Sequence, residues 1–222
     1  KYSLAISAIP FLSFSVANLI KAVYGKNKKA LILDLDNTLW EGVIGDDGPE
    51  GIEIGEETSL GQAYREFQSY IKMHKDIGIL LAINSKNDLE NAVSGLTHPD
   101  GLLRPEDFQV IKANWNNKDA NIREIAQELN LGADSFVFVD DNIVERDIVK
   151  KGTQGVAVPE IVTVESYITT IDKAGYFEII ELSKEDIVRN QMYKVNVERK
   201  TAQKEFFDYT EYLLSLEMIA DI

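Results

Sequence analysis

Short apolar runs alternate with segments of helical period along this chain, and that alternation limits the folds open to it more than any other feature. Residues 30–35, 78–83, 108–111, 135–139 and 154–158 are each too short for a helix and rich in branched or aromatic side chains, so they read as strands. Between them, 60–74 carries Tyr64, Phe67, Ile71 and Met73 at helical spacing, and 118–130 sets Ile122, Ile125, Ala126 and Leu129 on one face. Asn87 and Asp88 are placed to cap a helix running to about Leu96, and 144–151 reads as a further helix. Strands separated by helices of this length predict a doubly wound α/β fold, a parallel sheet covered on both faces.

The strand ends carry the polar chemistry. The run Ala30-Leu31-Ile32-Leu33 leads directly into Asp34-Leu35-Asp36-Asn37-Thr38. Carboxylates avoid burial unless paired, hydrogen-bonded or metal-bound. Asp34 and Asp36 share one face of an extended chain, where two negative charges call for a cation between them. The plainer reading is a solvated strand-to-loop turn. Taken singly, Ser85 is a helix-capping candidate, Lys118 a solvated helix start and Asp140-Asp141 a polar loop. In a doubly wound sheet, however, ligands bind beyond the carboxyl ends of the strands, and all of these residues fall there together.

Composition narrows the classes. A formal charge of −14 over 222 residues argues against a nucleic-acid or anionic-membrane binder. The absence of cysteine excludes disulfides, zinc–thiolate sites and thioester intermediates on the chain itself. His74 and His98 lie outside every motif, so no histidine mechanism is expected.

Four segments complete the outline. Gly42-Val43-Ile44-Gly45, the turn-forming Asp46-Asp47-Gly48-Pro49 and Gly51-Ile52-Glu53-Ile54 predict a short β-hairpin flap, and no insertion is long enough for a large cap domain. Residues 1–27 are expected to form an amphipathic helical segment packing on the domain, with Val16, Leu19, Ile20 and Val23 on one face. That segment loosely fits a secretory leader, but Pro10, Ser13, Ser15 and Asn18 interrupt it and it is short for a membrane span, so a cytoplasmic protein with no membrane partner is expected. Residues 28–160 are expected to form the catalytic core, and 161–222 a separate, mostly helical appendage. There Ser183-x-x-Asp186 resembles a capping box, 187–212 a long helix and 216–219 the start of a strand, after which the chain stops without a terminator and a further C-terminal domain is expected.

In order and spacing, Asp34-x-Asp36-x-Thr38, Ser85, Lys118 and Asp140-Asp141 resemble the haloacid dehalogenase (HAD) superfamily of phosphatases. Leu33-Asp34-Leu35-Asp36-Asn37-Thr38-Leu39-Trp40, Gly42-Val43-Ile44-Gly45, Ser85-Lys86-Asn87-Asp88, Asn114-Trp115-x-x-Lys118 and Val139-Asp140-Asp141-Asn142-x-x-Glu145-Arg146 look like its FkbH-like branch, over roughly residues 28–200. The resemblance implies a HAD-like, Rossmannoid fold and a hydrolase that forms an aspartyl-phosphate on Asp34 and uses Asp36 as acid and base. It also implies a magnesium ion on Asp34, the Asp36 backbone oxygen and the Asp140-Asp141 pair, with Asp141 favoured as direct ligand and Asp140 behind it or holding Lys118. Ser85 and Lys118 would bind the phosphate.

Thr38, Trp40, Asn84, Asn142 and Glu145 remain candidates for touching substrate or supporting the site. Thr38 is expected to fix the turn, Trp40 to line the entrance or pack, and Asn84 to meet substrate or flap. Glu145 would support the metal shell or lie solvated on its helix. Many FkbH-like proteins have a Cys before the Ser-Lys-Asn run and load a glyceryl group onto a carrier through a thioester. Here Asn84 stands in its place, which favours phosphate release. The expected substrate is a phosphorylated metabolite or a carrier-bound phosphate. The alternatives are an FkbH-like transferase working on a carrier-bound or phosphoglycerate-type substrate, or a catalytically silent interaction domain. A receiver-type signalling module is disfavoured, because it would lack Asp36.

Overall fold

The computed structural model describes residues 4–205. Its centre is a four-stranded parallel sheet of β1 (Ala30–Leu33), β2 (Leu80–Ser85), β3 (Val110–Ala113) and β4 (Phe136–Val139), in the order β3-β2-β1-β4. The chain steps outward from β1 to β2 and β3, then returns to the other side of β1 for β4. The reversal falls between β1 and β4, and that is where a doubly wound sheet opens its ligand crevice.

Helices cover both faces, and strand parity decides which residue meets which. Leu31, Leu33, Leu81, Ile83, Val137 and Val139 share a core with α3 (Ser59–Asp76), α4 (Leu89–Leu96) and α7 (Val164–Lys173). Ala30, Ile32, Leu80, Ala82, Phe136 and Phe138 point the other way, onto α5 (Lys118–Leu129) and α6 (Ile143–Gly152). Both faces of β1, β2 and β4 are therefore apolar over these residues, as continuous rather than alternating hydrophobic runs require. Asn130 ends α5 in the left-handed conformation, φ 52°, a role that Asn tolerates well.

The expected fifth strand is reduced to one residue. Ala157 bridges Val137, donating to the Phe136 carbonyl at 3.0 Å and accepting from Phe138 N–H at 2.8 Å. Gly155 turns the chain at φ +96° just before it, and Pro159 lacks a donor just after it.

The flap keeps an antiparallel base but not a β-hairpin tip. Glu41 and Glu53 exchange backbone hydrogen bonds of 2.9 and 3.1 Å, whereas the tip is a helical turn, α2 (Ile44–Asp47). The Asp47 carboxylate accepts the Val43 N–H at 2.8 Å, and Ile44 is buried beside α4, which favours the turn over a strand. No large cap domain occurs among the described residues.

Two expectations about the periphery are corrected. Helix α1 (Ile9–Val23) does not pack an apolar stripe on the domain: its one buried residue is Asn18, pressed against the backbone of Gly175. Its large side chains, among them Phe11, Phe14, Leu19, Ile20 and Val23, are exposed around its circumference, so no single face can be buried. By length and composition alone, Ile6–Val23 could cross a membrane.

Nor is the chain after Ile161 a separate appendage. Ile161, Val164, Tyr167, Ile171 and Phe177 join the α3-side core, with the Tyr167 ring edge-on to Phe67 at 5.3 Å. The Ser183–Asp186 capping box does form, with Ser183 N–H to Asp186 Oδ2 at 2.9 Å and Asp186 N–H to Ser183 Oγ at 3.1 Å. It starts α8 (Lys184–Glu205), whose Asn190 bonds Gln109 at 3.0 Å and the Lys75 carbonyl at 2.7 Å. The end of the expected long helix and the expected strand at 216–219 lie outside the described residues.

Candidate active site

Parity that packs the core also gathers the charges. Asp34, Asn84 and Asp140 continue the alternation of the strand residues that face α5, and all three meet the first turn of that helix. Lys118 opens α5 and is only 2% exposed. Its ammonium lies 2.9 Å from Asp34 Oδ1 and 2.5 Å from Asp140 Oδ2, and 5.8 Å from the centre of the Phe138 ring. Asn84 Nδ2 donates to the Lys118 carbonyl at 2.9 Å, and Asn121 Nδ2 donates to Asn84 Oδ1 at 3.0 Å. Asn84 therefore meets neither substrate cleft nor flap. It fixes the helix end that carries Lys118.

A second set of contacts joins the loop after β1 to the loop after β4. Asp34 N–H continues the ladder to the Val139 carbonyl at 3.0 Å. Thr38 is fully buried, and its Oγ1 accepts the Asp141 N–H at 3.2 Å and lies 3.5 Å from Asp141 Oδ1. Asn142 caps α6 by accepting Val144 N–H at 2.9 Å, while its own N–H donates to Asp140 Oδ1 at 2.8 Å. Arg146 donates to the Asp140 and Asp141 carbonyls at 2.6 and 2.8 Å. Glu145, 9% exposed, pairs through Oε1 with Lys86 at 2.7 Å and leaves Oε2 buried without a hydrogen-bond partner. A solvated Glu145 is thus excluded.

The cleft between these loops has a volume of about 180 Å³ and is lined by Asp34, Asp36, Asn37, Ser85, Lys86, Lys118, Asp141, Asn142 and Glu145. Trp40 does not line it. Its ring is fully buried against Gly95, where a Cβ would come within 2.5 Å, and its indole N–H donates to Asp36 Oδ1 at 3.0 Å. Trp115 is 70% exposed and donates to Asp88 at 3.0 Å.

Lys86, Asn87 and Arg146 stand in the motifs quoted above without an expected role in the site. Asn87 reads in the sequence as a helix cap, yet its amide reaches Asp36 Oδ2 at 3.0 Å. Its place two residues after Ser85, within a polar run at a strand end, was the available signal.

The electrostatics follow from burying acids together. Burial, followed by the Asp34 charge, pushes the Asp140 carboxyl up to about 7 against the pull of Lys118. Asp141 is raised by the same two causes. Asp36 is raised chiefly by burial, against hydrogen bonds from Ile44 and Trp40. Burial works against the charge on Lys118, but Asp34 and Asp140 outweigh it and its pKa lies above the usual lysine value.

Ligand oxygens of Asp34, Asp140 and Asp141 lie within 4.8 Å of one another. Asp34 Oδ1 is buried and meets Lys118 as an ion pair without hydrogen-bond geometry, so it retains acceptor capacity. An all-oxygen, acidic donor set of this kind fits a hard divalent cation such as magnesium. Negative charge beside the site favours that cation, so its affinity is expected to rise between pH 6 and pH 8 as Asp140 ionises around 7. Without metal the sign reverses. A raised carboxyl favours the fold most below its unfolded value, and that contribution is lost as pH rises through about 7. Magnesium calorimetry and metal-free melting, each across pH, check both slopes.

No family profile matches the chain, and no curated protein matches it. Among solved structures, it is similar to the N-terminal part of BF1531 from Bacteroides fragilis, which contains a phosphatase domain and was crystallised with Mg, at 42% identity and a TM-score of 0.77. That match covers 80% of this chain and 48% of the other, so the chain spans about half the length of that relative. A cobalt-bound deoxy-D-mannose-octulosonate 8-phosphate phosphatase from Haemophilus influenzae is far more distant, at 16% identity and a TM-score of 0.40 over 85% of this chain and 98% of that one, and carries no weight here. The parallel sheet, its crossover helices and the likeness to the BF1531 phosphatase domain together show that this chain has the Rossmann-like α/β fold of the HAD phosphatases.

Proposed function

We propose that this chain is a magnesium-dependent phosphatase that works through an aspartyl-phosphate on Asp34. The observation that carries this reading is the buried Lys118 ammonium held between Asp34 and Asp140, beside Asp141, at the switch point of the sheet. Phosphoryl transfer needs an in-line nucleophile, neutralised charge and a proton for the leaving oxygen. An Asp34 oxygen attacks phosphorus as the ester P–O bond breaks, and Asp36 gives its proton to the departing oxygen. Asp36 then takes a proton from water as the water oxygen bonds phosphorus and the Asp34–phosphorus bond breaks. Ser85 and Lys118 hold phosphate oxygens, and Asp140 keeps Lys118 in place. Asp34, the Asp36 backbone oxygen and Asp141 would hold magnesium, which supplies positive charge to the transferring group.

The motif set supports placement in the FkbH-like branch. Position 84 supports hydrolysis over thioester transfer: its side chain is fully buried and turned to α5, away from the cleft. The cleft, at about 180 Å³, is smaller than the ~300–1,000 Å³ of pockets that enclose a whole small molecule. A phosphate fits inside while the rest of the substrate, whether a metabolite or a carrier, lies outside the cleft.

A screen of phosphorylated metabolites and carrier-bound phosphates, with and without magnesium, tests this reading. Magnesium-dependent phosphate release is expected. Hydrolysis of no ester with any divalent metal would favour the silent interaction domain.

A further inference from the structure

The Asp36 carboxylate is held unequally at its two oxygens. Oδ1 accepts two hydrogen bonds, from Trp40 Nε1 at 3.0 Å and from the Ile44 N–H at 3.1 Å. Oδ2 accepts one, from Asn87 Nδ2 at 3.0 Å. A carboxylate oxygen offers about two acceptor sites, so Oδ1 is filled and Oδ2 keeps one free. These donors come from three separate segments: the loop after β1, the flap tip, and the loop after β2.

Each donor is itself fixed. The Trp40 ring is fully buried and wedged against Gly95. Asn87 is buried, and its Oδ1 accepts the Asp88 N–H at 2.9 Å, which leaves its amide nitrogen for Asp36. Ile44 opens the helical turn of the flap. The carboxylate is thus oriented from within its own loop by Trp40 and from outside it by Ile44 and Asn87, which a strand-end Asp needs if its proton is to be aimed.

We infer that Asn87 and Trp40 are positioning residues for Asp36, holding its carboxylate so that the proton it transfers is carried on Oδ2. This rests on the phosphatase reading and extends it to two residues outside the cleft lining. Without Asn87 the carboxylate loses the one donor that the described residues place on Oδ2, and only the two bonds at Oδ1 still hold it. The loss then falls on proton transfer to the leaving group, not on attack by Asp34.

The test separates those two events. Nitrophenolate leaves without a proton, whereas an alkoxide needs one, so kcat/KM is compared for p-nitrophenyl phosphate and glycerol 2-phosphate. Asn87→Ala is expected to lower the alkyl value about 10²-fold and the aryl value by less than about tenfold, with Trp40→Phe moving the ratio in the same direction. A fall by one common factor overturns the positioning role. Asn87→Ser, followed by melting, serves if Asn87→Ala does not fold.

A second readout does not depend on turnover. The chain has two tryptophans, so the indole N–H signal of Trp40 is easily followed by NMR. Asn87→Ala is expected to shift it, because both donors meet on Asp36, and an unmoved signal overturns the shared clamp. A wild type that cleaves neither ester overturns the phosphatase reading, and the catalytic role of the clamp falls with it. A wild type that cleaves both, with a variant equally weakened on each, overturns the positioning role alone.

Discussion

An Asp34→Asn protein is expected to lose phosphate-ester turnover by at least about 10⁴-fold while remaining folded, a loss on the scale seen when the nucleophile of a covalent mechanism is removed. An amide keeps the size of the side chain but cannot attack phosphorus. The fold should tolerate the change because Lys118 retains Asp140 at 2.5 Å, so the buried ammonium is not stranded. Acid-quenched labelling should show a phosphoenzyme in the wild type and none in the variant. Activity within tenfold of wild type would remove Asp34 from the nucleophile's role. A metal site weakened by the same change would appear as a raised magnesium requirement, and saturating magnesium would then restore turnover, which loss of the nucleophile does not permit.

Replacing Lys118 with Met should be the most damaging change to the fold as well as the site. Asp34, Asp140 and Asp141 would then face one another, with ligand oxygens within 4.8 Å and no ammonium between Asp34 and Asp140. Removing one partner from a buried ion pair costs about 3–5 kcal/mol, because the other charge is left without compensation. For a domain of this size that corresponds to a melting temperature lower by about 10 °C. Magnesium should recover part of the loss, about 3 kcal/mol at a hundred times its dissociation constant, since a cation binding only the folded state stabilises it. Differential scanning calorimetry with and without magnesium measures both. An unchanged melting temperature would mean that the Lys118 ammonium does not neutralise the cluster.

Much of the site was legible because each part sits at a strand or helix end that apolar periodicity locates. Asp34, Ser85, Lys118 and Asp141 all line the cleft, and Asp140 lies directly behind it on Lys118. Side-chain direction was less legible. Asn84 lies next to Ser85 in the chain, yet parity turns it to α5 while Ser85 faces the cleft. Sequence alone leaves Trp40 between entrance and core, and the structure makes it core with its indole N–H on Asp36. Glu145 could not be separated from a solvated helix residue, because its partner Lys86 lies 59 positions away.

The periphery was read least well. Helical spacing in α1 predicts a buried stripe, but that spacing says nothing of whether a complementary surface exists, and only Asn18 finds one. The segment after Ile161 reads in the sequence as a separate, mostly helical appendage, although α7 closes the α3 face.

The sequence by itself determined the alternation of strands and helices, the positions of the acids and the lysine at their ends, and the absence of thiol chemistry, since periodicity and residue type are local properties. Only the tertiary structure decided that Lys118 is buried between Asp34 and Asp140, that Thr38 ties Asp141 to the first loop, and that Trp40, Ile44 and Asn87 converge on Asp36. Those contacts depend on strand order and on which side of each strand faces which helix. Both are settled by the packing of residues as much as 103 positions apart, a relation that spacing along the chain does not record.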